Sequence, residues 1–239
     1  MMTGDKMKKG LKILLIVVLL LTVTACGGVD KSSDAYRFKE EYESINGEEN
    51  GNGNNYRVLE IPIDNPIVYA STDEILEKME KNESFVVYFG FASCPWCRSM
   101  IEELIKSAKD HDIDTIYYVD ILNIRDQYQI DDEGTPQRTN EGTEGYRKLI
   151  EQIGDVLSDY TLKDKEGNEI SAGEKRIYAP NVVAIVNGKA EKMVEGTSEK
   201  LEDPYAELTE DMKKESYNSF NCLWECINNN ANMCQKNMC

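Results

Sequence analysis

Histidine is almost absent from this sequence: His111 is the only one in 239 residues. A cysteine pair that needed imidazoles to complete a zinc site would therefore find at most one. Basic residues are also scarce, 27 Lys and Arg against 44 Asp and Glu, for a formal charge of −17. Beyond residues 1–25 the chain has no Lys/Arg cluster, and so no electrostatic footprint for nucleic acid or for adhesion to anionic lipid. No GxxxxGK[ST], HExxH or GxSxG element occurs, which leaves phosphoryl transfer, zinc-dependent proteolysis and serine hydrolysis without a motif. The long apolar run ILLIVVLLLTV, Ile13 to Val23, is too short to span a bilayer by itself.

That run follows Lys6, Lys8, Lys9 and Lys12, the order of a basic segment and an apolar core in an export signal, which is expected to cover residues 1–25 and to be removed. It leads into VTACGG, which resembles the lipobox of bacterial lipoproteins. The resemblance implies that Cys26 becomes the mature N-terminus and carries the lipid anchor. The expected location is the extracytoplasmic face of the cell membrane, held by acyl chains rather than by charge. Loss of residues 1–25 removes four lysines and one aspartate and leaves the rest still more acidic. Disulfides persist outside the cytoplasm. With Cys26 lipidated, the seven cysteines leave Cys94 and Cys97, then Cys222, Cys226, Cys234 and Cys239.

Residues 26–55 are rich in Gly, Asn, Ser and Glu and read as a tether with one short helix, reaching roughly 30 Å as a flexible coil. A domain is expected over 56–208. In it RVLEIPI and PIVYA look extended, Ser71 to Glu74 matches a capping box opening a helix, and FVVYFGF, Phe85 to Phe91, reads as a buried central strand. From Pro95 onward Met100, Ile101, Leu104, Ile105 and Ala108 recur at helical spacing. TIYYVDI is a second strand, parallel to the first through a right-handed crossover. A polar loop or insertion, a helix near 146–160 and a turn at 166–168 come next. VVAIVNGKAEKMVEG then reads as a hairpin through Asn187-Gly188. Residues 209–239 hold a charged helix and a Cys-rich tail.

Cys94 and Cys97 fall where the central strand gives way to the helix, in FGFASCPWCRS. A helix N-terminus favours a thiolate, because free backbone N–H groups and the macrodipole face the anion. Pro95 suits the first helical position, and Cys97 sits one turn inward. On this reading Cys94 attacks a disulfide and Cys97 resolves the mixed disulfide.

Strand, CPWC, helix, strand, then Ala-Pro leading into hairpin strands resemble the thioredoxin-like superfamily over about residues 65–200. FVVYFGFASCPWCR and YAPNVVAIVNGK are the most specific parts. More narrowly, FKEEYES, CPWCR, YYVD and the insertion ending at YAP are similar to extracytoplasmic thioredoxin-like lipoproteins of Gram-positive bacteria described as bacteriocin transport accessory proteins. The resemblance implies an α/β fold with a central mixed sheet flanked by helices. It also implies that Pro180 is a cis-proline facing the cysteine pair, with Ala179, Pro95 and Trp96 on the substrate rim; Thr135-Pro136 is the rival position. One departure stands out: where thioredoxins carry a buried acid six residues before the first cysteine, this chain has Tyr88.

The tail cysteines are expected to form structural disulfides in one of three pairings, nested Cys226–Cys234 and Cys222–Cys239 among them. A zinc site or an electron relay to Cys94 and Cys97 are the alternatives. The expected function is a membrane-anchored thiol–disulfide oxidoreductase acting on exported thiol- or disulfide-containing proteins and reset by a redox partner. It needs no cofactor beyond its own dithiol. The competing expectation is a non-catalytic accessory or binding lipoprotein that keeps CPWC as a bridge.

Overall fold

A computed structural model describes residues 30–228. The expected signal segment, Cys26, Cys234 and Cys239 lie outside those residues. Ser33 caps helix α1 (Asp34–Glu43), its side chain accepting from Tyr36 N at 3.2 Å. Phe38 and Tyr42, four apart on one face, are fully buried, as an i,i+4 apolar pair allows. The expected tether over 26–55 is therefore corrected: the compact unit begins at Ser33, because this pair of rings has a core to enter.

Strand β1 (Ile67–Tyr69) leads to α2 (Thr72–Glu80). Ser71 and Glu74 close the expected capping box, each side chain bonding the other's backbone N–H. β2 (Phe85–Gly90), α3 (Pro95–Asp110) and β3 (Ile116–Asp120) follow. β2 is buried along its whole length. RVLEIPI, expected to be extended, forms no strand; the Asn46 amide pairs with the backbone of Leu59 instead.

The polar stretch expected as loop contains the hairpin β4 (Gln127–Ile130) and β5 (Pro136–Asn140). Its turn is held by Asp131, whose carboxylate accepts from Glu133 N and Thr135 N. α4 (Glu144–Ile153) is shorter than expected and ends in a short 3-10 turn, Gly154–Val156, before a second hairpin of β6 (Asp159–Lys163) and β7 (Glu169–Lys175). β8 (Asn181–Val186) and β9 (Lys189–Val194) pair antiparallel through Asn187 and Gly188, at φ 49° and 76°. A Cβ at Gly188 would strike the Met79 carbonyl, so the turn needs glycine for space as well as for φ.

The central sheet has five strands in the order β1-β3-β2-β8-β9. β1 and β2 run parallel to β3, while β8 is antiparallel to β2. The fold is thus α/β with a mixed sheet between helical layers. Alternation along the strands divides the core. Val86, Tyr88, Ile116, Tyr118, Val182 and Ala184 face α1 and α3, whereas Phe85, Val87, Phe89, Val183 and Ile185 face α2 and α4.

The C-terminal helices α5 (Glu210–Ser219) and α6 (Asn221–Asn228) also differ from an appended tail. Phe220, Leu223 and Trp224 are buried in the core that holds α1 and α3. The Trp224 indole donates to Ser107 Oγ at 2.8 Å. Cys222 and Cys226 are both disulfide-bonded.

Candidate active site

β2 delivers the chain to the N-terminus of α3, and the turn between them places Cys94 at the N-cap with Pro95 at the first helical position. Cys94 Sγ accepts from Cys97 N at 3.4 Å, the role a serine or aspartate oxygen plays in an ordinary cap. Both thiols are free. Cys94 is 5% exposed and Cys97 is fully buried.

The two sulfurs are driven apart electrostatically. Cys94 lies below the usual thiol range, first because the Cys97 thiol hydrogen-bonds it, then through the N–H groups of Cys97 and Trp96 and the charge of Arg125, with burial acting in opposition. Cys97 is pushed well up by burial and by the negative charge that Cys94 gains on ionising. Arg125 reaches this position from the segment after β3, its guanidinium 5.0 Å from the Phe91 ring centroid.

Opposite the pair stands the loop before β8. The Ala179–Pro180 peptide is cis and Thr135–Pro136 is not. Cys94 Sγ donates to the Ala179 carbonyl at 3.2 Å. Asn181, fully buried, fixes this loop by accepting from Tyr178 N at 2.7 Å and donating to the Pro180 carbonyl at 2.9 Å. Beside it a groove of about 540 Å³ is lined by Trp96, Ala179, Pro180, Glu195, Gly196 and Thr197, among others. Burial raises the Glu195 carboxyl within it.

The structure therefore brings together Cys94, Cys97, Trp96, Ala179 and Pro180, with Pro95 opening the helix. It places His111 at the C-cap of α3, where Nδ1 lies 2.8 Å from the Ser107 carbonyl. Among the described residues no cluster of His, Cys, Asp or Glu could hold a metal ion.

Two features were missed in the sequence. Arg98, 1% exposed, donates to the carbonyls of Tyr42, Ala92 and Arg57 and to Asn46 Oδ1. It ties the segment after α1 to the loop that carries Cys94. The signal was available, since position 98 shares a helical face with Ile101 and Ile105. The second is the surroundings of Tyr88, whose hydroxyl lies 2.8 Å from that of Tyr42 and whose ring stacks on Tyr118. Gly90 permits this, because a Cβ there would collide with the Tyr88 hydroxyl.

No protein-family model matches this sequence, and no curated protein or solved structure matches it either.

Proposed function

We propose that the chain is a thiol–disulfide oxidoreductase of the thioredoxin-like superfamily, with Cys94 as nucleophile and Cys97 as resolving thiol. The observation that carries the reading is the placement of Cys94: a helix N-cap with a depressed thiol, one turn from a buried second thiol, facing the carbonyl before cis-Pro180. The strand order and the strand-turn-helix setting of CPWC support the same assignment. The dithiol carries two electrons by itself, so no organic cofactor enters the scheme. The groove along Trp96, Ala179 and Pro180 would take an extended client segment, and the half-buried backbone at Ala179 would orient it. Clients are exported proteins, and the enzyme acts from a lipid anchor at Cys26 on the outer face of the membrane. A redox partner resets the pair after each turnover.

In the forward sense, the Cys94 thiolate attacks one sulfur of a client disulfide and releases the other as a thiolate. Cys97 then loses its proton and attacks Cys94, closing the Cys94–Cys97 bond and freeing the second client thiolate. Protonation of the client thiolates completes the exchange. The reverse sequence donates a disulfide.

A second reading, an accessory lipoprotein using the pair as a fixed bridge, draws on one observation: neither cysteine is more than 5% exposed. The reduction potential separates the two. The full chain is equilibrated with thiol–disulfide buffers and the Cys94–Cys97 peptide is quantified by mass spectrometry. A potential between about −270 and −120 mV supports the enzyme, and its position in that range sets the direction of electron flow. A pair that stays oxidised below about −300 mV is a structural bridge, and the oxidoreductase reading fails.

A further inference from the structure

The antiparallel register between β8 and β9 pairs Val182 with Val194. Carried one and two residues further, it sets Glu195 beside Asn181 and Gly196 beside cis-Pro180, at the roughly 5 Å spacing of neighbouring strands. Glu195 therefore stands next to the loop whose Ala179 carbonyl lies 3.2 Å from Cys94 Sγ. Both belong to the wall of the groove of about 540 Å³ that also takes in Trp96.

That groove carries charge of one sign. Its lining holds Glu195 and Glu199 and, among the described residues, no lysine, arginine or histidine. Neither carboxylate has a hydrogen-bond or ion-pair partner among the described residues. Its surroundings desolvate the Glu195 carboxyl and raise it, yet the residue stays open to solvent, where a cation from outside can reach it. The backbone beneath both glutamates is held in place. Ser216 Oγ donates to the Gly196 carbonyl at 2.5 Å, and Gly196, at φ 76°, has no room for a Cβ against the Phe220 ring. Glu215 on α5 accepts from Ser198 Oγ at 2.8 Å and from Glu199 N at 3.4 Å, and it pairs with Lys200 at 3.5 Å. The lysine next to Glu199 is thus engaged by another carboxylate.

We propose that this groove selects client segments carrying a lysine or arginine close to the cysteine that exchanges with Cys94, and that Glu195 is the residue that reads the charge. The inference rests on the oxidoreductase reading and deepens it by naming the class of client.

A client sulfur bonded to Cys94 lies at the Ala179 and Pro180 loop. An extended client chain turns alternate side chains to one face and advances about 3.3 Å per residue. The residue two positions from the client cysteine therefore presents its side chain to the same wall, about 7 Å along it. A basic side chain there finds an unpaired carboxylate and the aromatic surface of Trp96 and Tyr178, and a cation is attracted to both. An acidic side chain meets two like charges and no donor to receive it.

The test uses the full chain and three short peptides that differ only two positions from their single cysteine, in Lys, Gln or Glu. Exchange is run in both directions, the reduced Cys94–Cys97 pair against the peptide disulfides and the oxidised pair against the peptide thiols, and the state of the pair is read by mass spectrometry. In the parent the Lys peptide is expected to react about tenfold faster than the Glu peptide at low salt, and the ratio should shrink at 0.5 M NaCl, about 4 Å of Debye screening. Each variant is scored by its own Lys-to-Glu ratio, so a general loss of rate cancels. Glu195→Gln should bring the ratio to within about twofold and Glu195→Lys should invert it. Glu166→Gln, which removes the same charge from the exposed β6–β7 turn, should leave the ratio at the parent value. Equal rates for the three peptides in the parent, or a ratio that falls as much in Glu166→Gln as in Glu195→Gln, overturns the selection by Glu195 and leaves the oxidoreductase reading intact. A parent chain that exchanges with none of the peptides in either direction overturns the oxidoreductase reading and the client class with it.

Discussion

The sulfur of Cys94 lies 3.2 Å from the carbonyl oxygen of Ala179, the residue immediately before Pro180. That oxygen can accept from a thiol but repels a thiolate, so it works against the groups that lower Cys94. Those groups must supply the whole effect: the Cys97 thiol first, then the N–H groups at the helix start and Arg125. The balance at Cys94 therefore depends on its partner more than on the helix.

Removing the Cys97 thiol should accordingly raise the Cys94 value. Ultraviolet thiolate absorbance of protein in which only the Cys94–Cys97 pair is reduced is expected to show two separated titrations, one below and one above the free-thiol value of about 8.5. In Cys97→Ala the Cys94 titration should move upward, while the backbone donors keep part of the depression. Two thiols titrating together near the free value in the parent would refute the electrostatic division described for the pair.

Stability of the reduced protein should depend on pH with a definite sign. Cys97, Tyr88, Tyr42 and Tyr118 are all raised by burial. Above their unfolded values, about 8.5 for the thiol and about 10 for the phenols, the unfolded chain releases protons that the folded chain retains, and stability falls as pH rises. Cys94 is depressed, so its contribution grows as pH climbs from its native value to about 8.5 and is lost as pH falls. Urea midpoints of the reduced protein should thus pass through a maximum at or just below pH 8.5 and decline beyond it. The oxidised protein, with no thiol at either position, should begin to decline only near the phenol range. Reduced protein that gains stability between about pH 9 and 10.5 would contradict this.

Arg98 has no carboxylate partner within its ring of acceptors; three carbonyls and one amide oxygen receive its fork of donors. A lysine carries the charge but cannot reach four acceptors arranged for a planar group. Arg98→Lys is expected to destabilise by about 3 kcal/mol in urea unfolding, since hydrogen bonds from a charged donor are worth roughly 1.5–3 kcal/mol each and the abandoned carbonyls stay buried. Because the Ala92 carbonyl belongs to the loop before Cys94, alkylation of Cys94 should change in the same variant. A loss below about 0.5 kcal/mol would show that the cation is not the clamp between the two segments.

Much of this framework was legible in the sequence because several local signals agreed with one another. FVVYFG had no helical period and became the strand buried on both faces. Ser71 and Glu74 stood at capping distance, and Asn187-Gly188 supplied two positive φ angles. Cys94 and Pro95 marked the start of α3 because proline fits only at a helix's first turn. Composition misled where the signal was tertiary. The segment before Tyr56 is polar overall, yet Phe38 and Tyr42 sink into the core, and two rings outweigh a tether-like average. The hairpins β4–β5 and β6–β7 are half-exposed and mostly polar, so no apolar alternation announced them. The surroundings of Tyr88 could not be read from the sequence at all, since Cys97, Tyr42 and Tyr118 come from three different elements.

The last helix offers a direct test of where the domain ends. Trp224 is 1% exposed and its indole donates to Ser107 Oγ at 2.8 Å, while Ser107 is itself fully buried on α3. If α6 belongs to the domain core, Trp224→Ala should cost about 3–5 kcal/mol, the usual range for deleting a buried large aromatic. Trp224→Phe keeps most of the packing and leaves the Ser107 hydroxyl without its donor, for a loss of about 1–2 kcal/mol. Ser107→Ala strands the indole N–H instead, and the double variant should recover part of the sum, because removing both partners leaves no orphaned group. A coupling of about 1 kcal/mol in this cycle would place α6 in the same cooperative unit as the helix that begins at Cys94. Additive losses, or a Trp224→Ala protein as stable as the parent, would return the C-terminal segment to the status of an appendage.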